Sequence, residues 1–365
     1  MLGIGSSHNR QLMKKTLVLL VSSDRPDLDK IRKAAGVIKE GGLVAFPTET
    51  VYGLGADALN AKAVAALFEA KKRPMDNPPI IHVGSVEGVH RLVKEFPPEA
   101  SRLMKEFWPG PLTIIFRRSD VVPAITVAGL ETIAVRMPNH SVALALIRES
   151  GCPIAAPSAN LAGKPSPTRA EHVLADLDGR IDAILDAGPT AVGVESTVLD
   201  LTVNPPQVLR PGGTPYEALK RVLRRVELNP VAAAEKPLPI GEARSPGVKH
   251  KHYAPNAEVV VVEGGVEAVV GKVKELVSLH RMRGKRVGVL ATDETAKRYK
   301  ADVVKSVGSR DDAATVARSL FGLLREFDAE GVDVIIAEGV PIEGLGLAVM
   351  NRLRKASGYN IVKVG

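Results

Sequence analysis

Several cationic and hydroxyl side chains follow short apolar runs that have the length of buried strands. Arg136 ends IAVR, Arg210 ends QVLR, and Ser158 follows IAAP. Ligands of open α/β sheets bind in the crevice at strand ends, and arginine binds phosphate or carboxylate through paired hydrogen bonds. Each residue alone also fits an ordinary polar strand end, but together they predict a site for a phosphate-bearing ligand and a carboxylate-bearing one. The same pattern includes Lys71, Arg73, Asn160, Ser196 and Thr197.

The segment from Phe46 to Val83 brings many of these features together. Two glycines in VYGLG permit backbone angles or close approaches that other residues forbid, and we interpret this stretch as a glycine-bearing turn after a buried strand. Residues 61–71 have helical apolar spacing and end in Lys71-Lys72-Arg73, where cations suit the helix dipole. Pro74 and Pro78 stop the helix, and 80–83 reads as a returning strand. The segment predicts one wall of an anion pocket, with Lys72 on the solvated face.

Motifs for several other chemistries are absent from the sequence. It contains no HExxH, no GxSxG, no GxxxxGK[ST] and no obvious pair of carboxylates. Gly344-Leu345-Gly346 stands between a strand and a helix, but it lacks the third glycine and the acidic residue of a dinucleotide-binding turn. We interpret it as an ordinary turn.

The composition limits the classes of function. A length of 365 residues favours two domains, and 45 % hydrophobic with 25 % charged residues is typical of a globular chain. The formal charge of +8 favours anionic partners, whereas 4 % aromatic residues disfavour a base-stacking platform. Cys152 is the single cysteine, which excludes an intramolecular disulfide and favours the cytoplasm. We interpret Cys152 as a small core residue.

The order of predicted elements indicates two different sheets. Residues 13–226 mix strands and helices without strict alternation, which predicts a mixed sheet. Residues 227–256 lack a helical or strand period and read as a linker, whereas 257–365 alternate strand and helix, which is typical of a parallel sheet.

No apolar run reaches the roughly 18 residues of a membrane span. The first dozen residues lack the plan of a signal peptide and read as a loose end. The further helices are predicted at 26–40, 86–95, 98–107, 142–149, 215–226, 266–282, 293–299, 313–330 and 347–357.

Several of these motifs resemble the YrdC family. They are PTETVYGLG, the Lys71-Lys72-Arg73 cluster followed by Asn77-Pro78, and Ser158-Ala159-Asn160, in this order. The chain is similar to the two-domain form, the L-threonylcarbamoyladenylate synthases, whose linker signature resembles Ser245–Pro255. Pro79 departs from the leucine that is more frequent in the family.

The resemblance implies a fold and a reaction. The fold is α/β, with a YrdC-like open twisted mixed sheet with helices and a smaller Rossmann-like parallel α/β domain. The reaction converts L-threonine, bicarbonate or carbon dioxide, and ATP into threonylcarbamoyl-AMP and pyrophosphate. The product would pass to tRNA threonylcarbamoyl-transferase proteins that modify the adenosine next to the anticodon, and direct tRNA binding stays open.

The resemblance also implies roles for individual residues. Lys71 and Arg73 would be catalytic, and Mg²⁺ would arrive on the ATP phosphates. His82 is either a base for the threonine amine or a hydrogen-bonding residue, and the second is favoured. The linker would fold over the site as a lid through Tyr253. Threonine would be held by Thr50, His82, Arg136, Ala156 and Ser196. ATP would be held by Lys71, Arg73, Asn77, Thr132, Ser158, Asn160, Ser166, Arg210 and Tyr253.

Two other functions were weighed against this one. The positive charge suggests an RNA-binding module without nucleotide turnover, but the strand-end residues and the few aromatics argue against it. A carbamoyl transferase of the hydrogenase-maturation type uses a similar domain, but those proteins carry zinc-finger cysteines and this chain has one cysteine.

Overall fold

A computed structural model describes residues 15–236 and 252–365. The strands in this part of the chain form two sheets, one of eleven strands and one of five. The strands are β1 Leu17–Leu20, β2 Val44–Pro47, β3 Tyr52–Asp57, β4 Ile81–His82, β5 Leu112–Arg117, β6 Thr132–Arg136, β7 Ile154–Ala155, β8 Ala183–Asp186, β9 Thr197–Asp200, β10 Gln207–Arg210, β11 Glu227–Leu228, β12 Glu258–Gly264, β13 Val287–Ala291, β14 Val303–Ser306, β15 Val334–Glu338 and β16 Ile361–Val364.

Helices cover the faces of both sheets. Asp27 caps the first helix by accepting hydrogen bonds from two backbone N–H groups, and Asn60 caps the second in the same way. The α-helices are α1 Leu28–Lys39, α2 Ala61–Lys71, α3 Glu87–His90, α4 Pro98–Phe107, α5 Ser141–Ser150, α6 Ala170–Leu177, α7 Tyr216–Val222, α8 Pro230–Ala233, α9 Val266–Met282, α10 Ala313–Ala329 and α11 Leu345–Ala356. Within the described ranges, none of them is both long and apolar enough to cross a membrane.

The larger sheet is mixed, as the sequence predicts. Its order is β1-β8-β2-β3-β7-β4-β6-β5-β9-β10-β11. Antiparallel pairs such as β2–β3 and β5–β6 alternate with parallel pairs such as β4–β6 and β5–β9. Because the chain returns to the middle of the sheet several times, strand ends that are far apart in sequence meet at one edge.

The smaller sheet is parallel throughout, in the order β14-β13-β15-β12-β16. Its strands β13 and β15 are buried along their whole length, which suits a sheet covered on both faces. Helices α10 and α11 contribute buried side chains to the same core as Ile335 and Ala337 of β15. The predicted Rossmann-like arrangement is therefore confirmed.

Some predicted elements were wrong. VYGLG is not a turn: Tyr52–Asp57 is a strand, and its glycines serve close packing, since a Cβ at Gly55 would stand 2.9 Å from Cε1 of Phe46. The predicted helix at 86–95 shortens to α3, and 293–299 contains only a 3₁₀ turn at Ala296–Arg298. The sequence analysis missed α6 and β16.

The predicted linker also contains regular structure. Glu227–Leu228 adds a strand beside β10, and Pro230–Ala233 forms a short helix with Asn229 as its cap. Both elements are too short to show a period, so hydrophobic patterning could not reveal them. The motif residues 245–251 lie outside the described residues, as does the predicted loose end at 1–12.

The two sheets share buried packing. Val51 and Val194 of the first sheet's loops belong to one apolar cluster with Tyr253 and with Phe321 of α10. A Cβ at Gly193 would stand 2.3 Å from the carbonyl oxygen of Ala317, so the loop and the helix touch through backbone. The Asp176 carboxylate, which is buried, pairs with Arg325 of α10 at 2.8 Å.

Candidate active site

A cavity lies where the ends of β2, β4, β6, β7, β9 and β10 meet. Its wall contains cations, hydroxyls and a carboxylate beside apolar residues, which fits the type of ligand that the strand ends predict. The lining residues are Thr48, Thr50, Val51, Gly53, Arg73, Ile80, His82, Arg136, Ala156, Pro157, Ser158, Glu195, Ser196, Arg210, His252 and Tyr253.

Arg136 is fixed at one side of this cavity by three protein groups. Its Nη1 donates to Thr50 Oγ1 at 3.0 Å, and its Nε donates to the Gly110 carbonyl at 3.1 Å. Its Nη2 lies 2.6 Å from Glu49 Oε2 as an ion pair. A guanidinium carries five N–H donors, so Arg136 keeps capacity for an anionic ligand while its orientation is set by the protein.

His82 lies next to Arg136 at the end of β4. Its Nδ1 is 3.3 Å from the Ile80 carbonyl, and its ring meets Phe46 edge-on. Burial, followed by the positive charge of Arg136, lowers the pKa of His82 to about 3. His82 is therefore neutral near pH 7 and suited to hydrogen bonding.

Ser196 and Arg210 form a second fixed pair. Nη2 of Arg210 donates to both the carbonyl oxygen and the Oγ of Ser196, at 2.9 and 3.2 Å. Ser196 Oγ also lies 2.8 Å from Thr113 Oγ1. Burial lowers the pKa of Arg210, and an anionic ligand would favour the charged form.

Arg73 reaches the cavity from the segment that follows α2. Its Nε donates to the Asn77 carbonyl at 2.9 Å, and Nη2 donates to the Pro78 carbonyl at 3.2 Å. Burial lowers its pKa to about 10. Asn77 is buried behind it and does not line the cavity, although its Oδ1 has no hydrogen-bond partner among the residues that the structure describes.

Lys71 does not line the cavity. Its Nζ donates to the carbonyl of Ser158 and, at 2.5 Å, to that of Asn160. The side chain is 1 % exposed, and burial lowers its pKa well below the usual range, with Arg73 as the second cause. Lys71 thus holds the loop after β7 from behind the wall.

Three more predicted residues lie away from the cavity surface. Asn160 donates to the carbonyls of Leu161 and Lys164, and Ser166 donates to the carboxylate of Glu195 at 2.5 Å. Asn160 and Ser166 are buried directly behind the lining. Thr132 lies farther away, because it begins β6 whereas Arg136 ends it, and about 13 Å separates the two residues at the usual strand rise. The structure does not bring Thr132 to the cavity.

Tyr253 closes one side of the cavity. Its ring stacks on Phe321 at a centroid distance of 5.4 Å, and Cζ of Arg352 lies 5.4 Å from its centroid. Burial raises the pKa of the Tyr253 phenol, with Glu195 as the second cause. Its φ of +65° is uncommon for an aromatic residue, so packing holds this backbone in place.

The sequence analysis missed Thr48, Glu195 and Arg352. Thr48 Oγ1 accepts from the backbone N–H groups of Thr50 and Val51 and so shapes the loop after β2. Glu195 directly precedes Ser196, and this position was the only available signal. The sequence contains no signal that marks Arg352 as a site residue, because an arginine within a helical pattern is expected on the solvated face of the helix.

Cys152 is only partly buried, at the far end of β7 from the cavity. Burial raises its pKa to about 12, and Asp57 adds to the shift. A thiol of this kind is a poor nucleophile at neutral pH, in agreement with the packing role predicted for it. Among the described residues, no group of three or more His, Cys, Asp or Glu side chains is placed to hold a metal ion.

Comparison with known proteins agrees with this architecture. Residues 36–212 match the Sua5/YciO/YrdC family model, described as "Telomere recombination", and residues 214–358 match the model "Threonylcarbamoyl-AMP synthase, C-terminal domain". A threonylcarbamoyl-AMP synthase of Pyrococcus abyssi is 55 % identical over 335 residues, which are 92 % of this chain and 96 % of that protein. The chain belongs to the threonylcarbamoyl-AMP synthase family.

Other members of the threonylcarbamoyl-AMP synthase family extend the likeness. The protein of that name from Bacillus subtilis is 50 % identical over 92 % of this chain and 94 % of its own length. The crystal structure of P. abyssi Sua5 complexed with L-threonine superposes with a TM-score of 0.91 and 53 % identity, over 96 % of this chain and all of that one. The two-domain fold of this enzyme family is thus the fold of this chain.

Proposed function

We propose that this chain is a nucleotidyltransferase that makes L-threonylcarbamoyl-AMP and pyrophosphate from L-threonine, bicarbonate or carbon dioxide, and ATP. The observation that carries the proposal is the placement of Arg136 and Arg210 in one cavity with Ser196 in its wall. Two separate guanidinium groups suit two anionic substrates, a carboxylate and a polyphosphate. The similarity to threonylcarbamoyl-AMP synthases over nearly the whole chain supports the same reaction.

The cavity divides naturally between the two substrates. The threonine side comprises Thr50, His82, Arg136 and Ser196, with the Ala156 backbone beside them. The P. abyssi structure that contains L-threonine supports an amino-acid site in this fold. Arg136 would bind the carboxylate, and neutral His82 would accept or donate one hydrogen bond.

The nucleotide side is formed by Arg73, Ser158, Arg210 and Tyr253. Asn77, Asn160 and Ser166 would support it from behind, whereas Thr132, at the other end of β6, does not line the cavity. Lys71 contributes by fixing the loop of Ser158 and by placing a cation near the phosphates. Glu195, the carboxylate in the lining, is already paired with Arg352 and Ser166 and so is not available as a magnesium ligand. The magnesium ion would therefore enter bound to the ATP phosphates.

The chemistry needs alignment more than a strong base. The amine of threonine adds to carbon dioxide and loses a proton, which gives a carbamate. A carbamate oxygen then attacks the α-phosphorus, the bond to the bridging oxygen breaks, and pyrophosphate leaves. Arg73 and Arg210 would neutralise the charge that develops on the phosphates, which is the main requirement of phosphoryl transfer. The low pKa of His82 favours hydrogen bonding over general-base catalysis.

The chain would comprise a first domain at 13–226, a linker at 227–256 and a second domain at 257–365. The linker would close the active site as a lid. Tyr253 supports this idea because it is 4 % exposed and lies against both the cavity and the second domain. A closed site would keep water from an adenylate that hydrolyses readily. The product would serve threonylcarbamoyladenosine modification of tRNA in the cytoplasm by a separate transferase, and the +8 charge permits direct contact with tRNA.

The test is pyrophosphate release from the purified full chain. Release is expected with ATP, L-threonine and bicarbonate together and is expected to stop when any one is omitted. Pyrophosphate release that does not depend on threonine would refute the proposal. An RNA-binding module without turnover would instead show strong, salt-dependent RNA binding and no pyrophosphate.

A further inference from the structure

Helix α11 of the second domain carries a fully buried arginine to the cavity wall. Arg352 is 0 % exposed, and its Nε donates to Oε2 of Glu195 at 2.7 Å across 157 positions of sequence. Its Nη1 donates to the Pro211 carbonyl at 2.8 Å, directly after β10. The helix is therefore fastened to the loops that precede β9 and follow β10.

The partners of Arg352 are parts of the nucleotide side. Glu195 lines the cavity and also accepts the hydrogen bond of Ser166. Tyr253 lines the cavity with its ring beneath the Arg352 guanidinium. A single side chain from the second domain thus contacts two lining residues, and Arg210 of the first domain acts on the same two from the other side.

The surroundings of Glu195 are strongly cationic. Arg210, Arg352 and Lys355 all act on this one carboxylate, and Lys355 is 8 % exposed on the next turn of α11. Burial lowers the pKa of Lys355 to about 7, followed by repulsion from Arg352 and Arg210. An excess of buried positive charge near the nucleotide side suits a polyphosphate and leaves Glu195 bound to protein cations.

We propose that Arg352 is a positioning residue of the active site, through which the second domain sets Glu195 and Tyr253 for ATP binding. The second domain would then supply one wall of the nucleotide site. This inference rests on the proposed function only in that the cavity binds ATP.

Arg354 offers a matched control on the same helix. It is 6 % exposed, pairs with Glu263 through two contacts of 2.8 Å and lies 3.4 Å from Glu235, and neither glutamate lines the cavity. Arg352→Met and Arg354→Met each remove a buried guanidinium that is paired with glutamate. Arg352→Lys keeps the charge near Glu195, so that this carboxylate is not left unpaired, but it lacks the planar guanidinium over Tyr253.

The experiment measures ATP and L-threonine affinity by calorimetry, together with kcat and both KM values, for the full-length wild type and the three variants. Loss of one charge-assisted contact corresponds to about tenfold weaker ATP binding in Arg352→Met, with threonine binding changed less than about twofold. Arg352→Lys is expected to fall between Arg352→Met and the wild type, and Arg354→Met should match the wild type even where its melting temperature falls.

Equal loss of ATP affinity in Arg354→Met, or wild-type ATP affinity in both Arg352 variants, would overturn the inference. If Arg352→Met does not fold, Arg352→Lys decides alone. ATP binding without threonine-dependent pyrophosphate release would overturn the proposed reaction and leave this inference standing, whereas a wild type that binds no ATP would overturn both.

Discussion

The ammonium nitrogen of Lys71 lies 2.5 Å from the carbonyl oxygen of Asn160 and also contacts the carbonyl of Ser158. The last residue of α2 thereby fixes the loop that follows β7. Because Ser158 lines the cavity and Lys71 does not, the effect of Lys71 on the ligand passes through this loop and through its charge.

Replacing Lys71 by alanine should therefore cost activity. The Ser158 loop loses its anchor and the site loses a cation, so we expect Lys71→Ala to lower kcat/KM for ATP by about 100-fold or more. Steady-state pyrophosphate release measures this. Lys72→Ala is the control, since Lys72 is an exposed helix cap with φ of 50°. Near-normal turnover of Lys71→Ala would remove Lys71 from the mechanism.

Nucleotide binding should take up protons through Lys71. Burial holds its pKa well below the usual range, and a polyanion nearby favours the charged form and raises it. Calorimetry of ATP binding in buffers of different ionisation enthalpy, at several pH values from about 8 upward where the ATP phosphates are already ionised, should show net proton uptake at each pH at which the free enzyme has lost the Lys71 proton. The uptake should disappear in Lys71→Met; equal uptake in that variant would assign the proton elsewhere.

His82 should make the fold sensitive to acid. Its folded pKa of about 3 lies below the unfolded value, so the unfolded chain gains a proton first as the pH falls below about 6.5. This group alone should remove up to about 1.4 kcal/mol of stability per pH unit between the two pKa values. Urea unfolding of wild type and His82→Gln at several pH values tests this, and the variant should lose less stability with acid. Parallel curves would contradict the prediction.

The two arginines should separate the two substrates in kinetics. Arg136→Lys is expected to raise the KM for threonine, and Arg210→Lys the KM for ATP, each by about tenfold or more, because lysine cannot reproduce the planar bidentate contact. The KM for threonine and the KM for ATP are measured for both variants, so that each variant is the control of the other. If the KM for the same substrate rises in both variants, the division of the cavity is contradicted.

Removing the chain from Ser245 onward should impair the enzyme. Tyr253 and the second domain's contacts with Val51 and Val194 would be lost, and water would reach the adenylate. Synthesis of threonylcarbamoyl-AMP by the truncated and full-length chains gives the comparison, with circular dichroism to check folding. Full activity of the truncated chain would rule out the lid.

Local patterning in the sequence predicted much of the fold. Helices α2, α4 and α9 have the predicted bounds because their apolar spacing and their caps lie within a few turns of chain. Local patterning failed where elements span only about one period, as at α3, α8 and β11, because one period shows no repeat. The sequence left two roles open for Gly55, because a glycine that permits close packing and one that permits a turn look alike in sequence, and the structure shows the close packing.

By itself, the sequence determined which side chains end the strands and that these are cations and hydroxyls, since those are local facts. Only the tertiary structure decided which of them meet. It brought Arg136, Ser196 and Arg210 to one cavity, left Thr132 at the other end of β6, and turned Lys71 toward two carbonyls. It also placed Arg352, on helix α11 of the second domain, against Glu195. Such contacts depend on strand order and domain packing, which no local periodicity encodes.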